Sequence, residues 1–362
     1  MDLEYTPEQQ ALKDAVRRFC AEQITPERLG AWERDVNGID GASWKAIARL
    51  GWIGLGVGTA AGGSGLGLVE LACVLYECGR GLVPRTVINA MRGAWVLSHL
   101  DPTAPELGSL VAGDQRVTLA FDEAETRDPS RYLTVAERRG EWTEIRGAKC
   151  YVPDGEGADY QIVAAHEGGG LSLLFVRGAD TKREALRTFD GERQAVVHYD
   201  GVRAVRRLSA SGDAAAALER VRIEQTALGL AEMLGGMDAA LEMTVAYVKE
   251  REQFGQKIAV FQAVQHQVAD MATTFTASRH LTWQAITRLA AGTTDGGELS
   301  SAAAFVGPAF KRVTLAAHHL HGGAGYVVEH PLHYHAERAQ ALSIRYTPEG
   351  PVLAAVASRL LD

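Results

Sequence analysis

The sequence predicts an α+β fold in three segments: an N-terminal α-helical domain, a central β-domain and a C-terminal helical bundle. Three observations carry this. Apolar residues recur with helical period near the N-terminus. Short strand-like runs separated by Gly, Asp and Pro fill the middle. Long, Ala-rich amphipathic stretches close the chain. The expected boundaries are 1–113, 114–211 and 212–362.

The elements follow in order. Leu12, Val16 and Phe19 fall at i, i+4 and i+7 and mark one face of a helix over 6–20. Thr6-Pro7-Glu8-Gln9 opens it with a cap residue, Pro at the first helical position and Gln three residues after the Thr. A second helix is expected over 41–50, before Gly51. GWIGLGVGTAAGGSGLG, starting at 51, reads as a glycine-rich loop, and 68–79 as helix again. From 116 to 208 come VTLAF, YLTVAER, WTEIRGAKCYV, YQIVAAH, LSLLFV and QAVVHYDGV, the makings of a compact, barrel-like β-domain of six to eight strands. Helical stretches over 214–252, 262–291 and 297–321 are far longer than average and should pack as a four-helix bundle.

Composition bounds the function. The 362 residues are 46% apolar and 23% charged, an ordinary globular balance. A net charge of −8 argues against nucleic acid as the main partner. It leaves room for an anionic ligand, because local cations and helix N-termini dominate at a site. No apolar run reaches 18 residues, so no membrane span is expected. The opening MDLEYTPEQQALKDAVRRF is charged and lacks a secretory core. Cys20, Cys73, Cys78 and Cys150 have no metal spacing and read as reduced thiols, which points to the cytoplasm.

Two motifs carry a resemblance. REQFGQKIAVFQ, residues 251–262, lies between two long helices, and HLHGGAGYVVEHPL spans 319–332. They resemble the R-x-x-F-G…F-Q and Q-x-H-G-G-x-G-Y/F signatures of the acyl-CoA dehydrogenase family, and the order of helices, β-domain and bundle matches over essentially the whole chain. The resemblance implies the acyl-CoA dehydrogenase fold and FAD as cofactor. It places Arg251 at the FAD pyrophosphate, where a planar, permanent cation is wanted. It places Phe254 beside the cofactor and Gln262 at its adenosine half. Gly322, Gly323 and Gly325 let backbone approach a phosphate or sugar. His319 stands where the family has Gln.

The departures matter as much. The family's T-E-P-x-x-G-S-D loop reads AFDEAETRDPS at 120–130, and its W-I-T-N reads Tyr151-Val152-Pro153-Asp154. Pro153 offers neither the hydroxyl nor the amide of a Thr. The reaction implied by the resemblance takes a proton from the carbon next to a thioester carbonyl while hydride leaves the β-carbon for flavin, so a carboxylate must stand opposite the flavin. The family supplies it from a Y-E-G-T loop near the C-terminus or from the first bundle helix. Here those positions fall at Tyr346 or Thr347 and at Gln225. Glu349, two to three residues late in Thr347-Pro348-Glu349-Gly350, is a candidate base, although that stretch also reads as a turn. Glu224 is the other candidate, but one residue turns a helix by about 100°.

These losses resemble actinobacterial α2β2 acyl-CoA dehydrogenases of steroid side-chain β-oxidation, in which two homologous chains pair and one carries the Glu. The expectation is a subunit that holds FAD, with an acyl-CoA substrate and a homologous partner that supplies the base. The alternatives are a self-sufficient homotetramer using Glu349, or a FAD-less acyl-CoA-binding scaffold. His318, His319, His321, His330, His333 and His335 form a dense cluster, but no carboxylate or Cys completes a metal set, so no metal is expected. Trp142 and Trp283 read as packing residues.

Overall fold

The computed structural model describes residues 5–294 and 296–361, the last two by backbone alone. In chain order the helices α1 (Pro7–Gln23), α2 (Pro26–Arg34), α3 (Gly41–Arg49), α4 (Leu68–Arg80), α5 (Arg85–Leu100) and α6 (Leu107–Val111) come first. The strands β1 (Val117–Ala120), β2 (Val135–Arg139), β3 (Trp142–Pro153), β4 (Tyr160–Glu167), β5 (Gly170–Arg177), β6 (Lys182–Arg187), β7 (Arg193–Arg203) and β8 (Arg206–Arg207) follow. Then come α7 (Ala215–Glu250), a hairpin of β9 (Glu252–Gln253) and β10 (Gln256–Lys257), α8 (Gln262–Ala290), α9 (Gly297–His321), α10 (Leu332–Tyr346) and α11 (Glu349–Leu361). The six expected helices, found as α1, α3, α4, α7, α8 and α9, and the six quoted strand runs all appear; α2, α5, α6, α10 and α11 are additions to that expectation. No membrane-spanning helix occurs among the described residues.

Two compact units form. One gathers 31–66 and 84–222; the other gathers the segments up to 30, 67–83 and from 223 onward.

The first unit holds an eight-stranded mixed sheet, ordered β6-β7-β3-β2-β4-β5-β8 with β1 added parallel to β4. Ile162 to Ala165 of β4 are all fully buried, the continuous apolar run of a strand covered on both faces. Ile145, Leu174, Val176, Val197 and Tyr199 complete the core. The edge strand β6 is KREALR, mostly charged, which discourages pairing with another chain. Between β3 and β7 the register slips between Lys149 and Val152, a bulge.

In the second unit Thr6 caps α1 as its spacing predicts: its hydroxyl accepts from Gln9 N (3.2 Å) and Gln9 Oε1 accepts from Thr6 N (3.0 Å). Glu77 ties α4 to α1, receiving the buried Lys13 (3.1 Å) and the half-exposed Arg17 (2.9 Å). α4 and α7 cross in backbone contact, because a Cβ at Gly79 would strike Glu232 O and one at Gly235 would strike Tyr76 O. Trp283 packs near Tyr76 and Tyr5.

Candidate cofactor face and base positions

α7 ends at Glu250, and Arg251 N still donates to Tyr247 O (2.8 Å). The chain then doubles back through β9 and β10, pairing Gln253 with Gln256. The two residues at the tip, Phe254 and Gly255, have φ of 55° and 77°. Positive φ at both central residues is the type I′ requirement, normally met by Asn-Gly. A Phe there costs about 1–2 kcal/mol. The residue is 93% exposed, and among the described residues its ring meets only Phe261, edge-on at 6.1 Å. Arg251 is exposed and makes no ion pair among the described residues; Gln262 is exposed at the first position of α8.

The second motif terminates α9. Gly322 has φ 56° and ψ −141°, backbone that a side chain cannot adopt without strain, and leads into a 3-10 turn over Gly322–Tyr326. A Cβ at Gly322 or Gly323 would meet nothing, so this backbone is open to an approaching group, whereas Gly325 is needed for packing against His321. His319 is exposed on the last turn. His321 stacks on Tyr247 at 4.4 Å and donates from Nδ1 to Ala317 O (2.8 Å). Burial lowers the pKa of His318, His321 and His330, and pushes His335 to about 3. Among the described residues no three His, Cys, Asp or Glu side chains are arranged to hold a metal ion.

The structure brings two of the expected base positions onto one helix face. Gly229 lies one turn after Gln225 on α7, and a Cβ there would be 2.5 Å from the Tyr346 ring. Thr347 seats against Gly307 of α9 in the same manner, and Ser343 donates to Gly307 O (3.1 Å). The end of α10 is thus clamped by two glycine notches. Gln225 is buried and its Nε2 has no hydrogen-bond partner among the described residues. Glu224 is buried beside it. Glu349 is exposed at the first position of α11, two residues beyond the inward-facing Thr347.

In the sheet unit, Tyr151 sits in the β3 bulge with φ 55° and Asp154 follows at φ 50°. Burial raises Asp154 to about 7 against the opposing Arg116, whose Nη1 lies 2.9 Å away. Sequence reasoning missed a clasp here. Lys149, fully buried, donates to Phe121 O (3.0 Å) and Glu123 Oε1 (2.8 Å) and lies over the Tyr132 ring at 3.6 Å. Glu123 in turn accepts from Leu133 N (2.6 Å) and Thr134 N (3.0 Å). One ion pair therefore closes the loop from Phe121 to Thr134. The G-x-K turn was the available signal, since a Lys inside a strand pattern needs a buried partner.

Comparison with known proteins agrees with this layout. The family models "Acyl-CoA dehydrogenase, N-terminal domain" and "Acyl-CoA dehydrogenase, C-terminal domain" match residues 6–100 and 214–349. The chain is 31% identical to acyl-CoA dehydrogenase FadE28 of Mycobacterium tuberculosis over 92% of its own length and 91% of that protein. It belongs to the acyl-CoA dehydrogenase family. Benzylmalonyl-CoA dehydrogenase of Aromatoleum aromaticum is 30% identical, covering 79% of this chain and 80% of its own. Among solved structures, a variant of the Tcur3481-Tcur3483 steroid ACAD superposes with TM-score 0.89 at 30% identity, over 98% of each chain. The ChsE4-ChsE5 complex of Mycobacterium tuberculosis shares the fold, with TM-score 0.90 at 24% identity over 100% of this chain and 99% of that one.

Members of this acyl-CoA dehydrogenase family are FAD flavoproteins. Arg251, Gly322 and Gly323 suit such a group: an exposed cation and a stretch of backbone with open space above it.

Proposed function

We propose that this chain is the FAD-holding subunit of a heteromeric acyl-CoA dehydrogenase, and that a homologous partner supplies the catalytic carboxylate. The single observation that carries this reading is a split. The residues read as the cofactor face, Arg251, Phe254, Gln262, His319 and Gly322–Gly323, are exposed or open to an approaching group, while the expected base positions hold Gln225 and Tyr346 or Thr347. A bulky steroid side-chain or branched acyl-CoA is the substrate class favoured, supported by the steroid enzyme among the similar structures and by 27% identity over 91% of the chain to a bovine short/branched chain specific acyl-CoA dehydrogenase.

FAD, when bound, supplies the acceptor for the hydride leaving the substrate's β-carbon. The residues of this chain bind and cover. Arg251 presents its planar fork to the pyrophosphate, and Gly322–Gly323 presents backbone without side-chain obstruction. Phe254 excludes water from the cofactor face. Gln262 and His319 offer neutral polar contacts at the rim. Proton removal falls to the partner, because an amide at 225 and a phenol at 346 are poor bases near neutral pH.

The test is co-expression with homologous chains, followed by FAD per chain. Arg251→Gln should weaken FAD retention about 10- to 100-fold, the value of a charge-assisted pair. Glu349→Gln should leave bleaching of the flavin by acyl-CoA unchanged. A chain that is stoichiometrically yellow and turns over by itself would overturn the proposal.

A further inference from the structure

A stacked pair of rings joins the two motifs read as the cofactor face. Tyr247 lies in the last turn of α7, and its ring stacks on His321, the last residue of α9. The centroids are 4.4 Å apart and the planes differ by 22°. Each ring stands directly behind one motif. Tyr247 O accepts from Arg251 N (2.8 Å), and Arg251 O accepts from Ile258 N (2.9 Å), so the base of the β9–β10 hairpin hangs from the Tyr247 peptide. On the other side His321 is bonded covalently to Gly322, where the backbone turns at φ 56°. The far end of that turn is stacked as well, with Tyr326 on His318 at 4.5 Å.

Burial alone does not call for an imidazole at 321. The residue is 3% exposed. Its Nδ1 is bonded to Ala317 O (2.8 Å), and a carbonyl only accepts, so Nδ1 carries the proton. Nε2 is then a bare acceptor with no partner among the described residues. A Leu of similar volume would fill the place without that cost. What the imidazole adds is a plane in a fixed orientation. Its own helix holds Nδ1, a Cβ at Gly325 would stand 2.9 Å from its Cβ, and His330 meets it edge-on at 5.0 Å. A fixed plane gives the half-buried Tyr247 ring one place to rest, and the Tyr247 peptide passes that placement to Arg251.

We propose that Tyr247 is a positioning residue: its stack on His321 holds the Arg251 hairpin and the Gly322–Gly323 backbone at one spacing, so that a single FAD meets both. This rests on the FAD-holding reading of the preceding section. It goes beyond it, because Tyr247 and His321 act through Arg251 and Gly322. Segments ordered before binding keep affinity that ordering would otherwise consume. An aromatic pair biases such an arrangement about two- to tenfold beyond the area it buries.

The experiment uses the full chain, purified with its homologous partner and stripped of flavin. FAD is titrated back and its dissociation constant read from the quenching of flavin fluorescence. Tyr247→Leu and His321→Leu should each weaken FAD about two- to tenfold, and Tyr247→Phe, which keeps the stack, should stay within about twofold. The double Leu variant should be no weaker than the poorer single one, because both remove the same contact. Should Tyr247→Leu not fold, His321→Leu makes the same cut from the other side. Amide exchange without FAD gives a second readout. Tyr247→Leu should speed exchange in both segments, Glu252–Lys257 and Gly322–Tyr326, and Tyr247→Phe in neither. Additive losses in the double variant, Phe as weak as Leu, or exchange that rises in one segment alone would overturn the inference. Unchanged FAD affinity in Tyr247→Leu beside a loss in Arg251→Gln sinks the inference and leaves the FAD-holding reading standing. An unmodified pair that takes up no FAD sinks that reading, and amide exchange then decides the stack by itself.

Discussion

Replacing Lys149 by Met tests the clasp that organises the loop from Phe121 to Thr134. Removing one partner of a buried ion pair costs about 3–5 kcal/mol when the other is left uncompensated. Glu123 is not left bare here, since the amides of Leu133 and Thr134 still donate to it. That lowers the expected cost to roughly 2–4 kcal/mol, part of it the lost cation–π contact with Tyr132. A local opening made easier by that amount speeds amide exchange about 30- to 1,000-fold. Hydrogen exchange of the peptide carrying Leu133 and Thr134 reads it, with β4 and β5 peptides as internal controls. Lys149→Met with Glu123→Gln should cost less than the sum of the two single changes, because neither variant leaves a charge behind in the double. The pH dependence has a fixed sign. Burial, partly offset by Glu123, lowers Lys149 from 10.5 to about 8, so on alkalinisation the folded state releases its proton before the unfolded one. Stability then rises between pH 8 and 10.5, by about 3 kcal/mol at most, and Lys149→Met abolishes the rise. Exchange at the unmodified rate in Lys149→Met, or strict additivity in the double variant, would refute the clasp.

Three further outcomes follow from the same geometry. Gly322→Ala forces a side chain into φ 56°, ψ −141°, costing about 1–3 kcal/mol, and should lower FAD retention along with a melting temperature a few degrees down; an unchanged FAD content would detach this turn from the cofactor. His335 is neutral when folded down to about pH 3, so the unfolded chain alone takes up a proton as pH falls below about 6.5; stability should drop by about 2 kcal/mol from pH 7 to 5, and His335→Phe should flatten that slope in denaturant titrations. Gly229→Ala gains about 1 kcal/mol of helix propensity but overpacks Tyr346 by about 1–3 kcal/mol; adding Tyr346→Ala should recover stability, and failure to recover would show that the ring does not press on Gly229.

The sequence made the elements legible where one face of each is buried. Thr6 with Gln9, the alternation in WTEIRGAKCYV and the long apolar period of α7 to α9 all translated into structure because local chemistry and burial agree there. β6 escaped because KREALR is an edge strand whose pairing with β7 rests on backbone hydrogen bonds that leave no apolar signature. α5 escaped because Arg85, Asn89 and Arg92, one helical face, are buried polar residues that interrupt the expected apolar stripe. The candidate site was legible as motifs: Arg251, Phe254 and the glycines fall on exposed turns. Its interior was not. That Tyr346 lies on Gly229, and that Lys149 holds Glu123, depends on contacts between residues more than a hundred and about twenty-five positions apart, which no local period encodes.

Phe254 gives the partner reading its energetic logic. The left-handed backbone beneath it costs about 1–2 kcal/mol, and an aromatic ring left 93% in water recovers none of that. Burying the ring would return roughly 1.5–3 kcal/mol, enough to offset the strain, but among the described residues only Phe261 meets it in a ring contact. Asn at the same position would form the hairpin without strain, so the turn itself does not explain the choice. Under the proposed function a cofactor or a second chain covers the ring and restores the balance. The interior of the same unit runs the other way. Tyr346 is packed to contact on Gly229, and Gln225 carries an amide, so neither of these expected base positions holds a carboxylate. A catalyst complete in one chain would need a carboxylate at one of them and would gain nothing from an exposed Phe254. A chain that lends its cofactor face to a neighbour, as proposed above, uses Phe254 and is indifferent to the base positions.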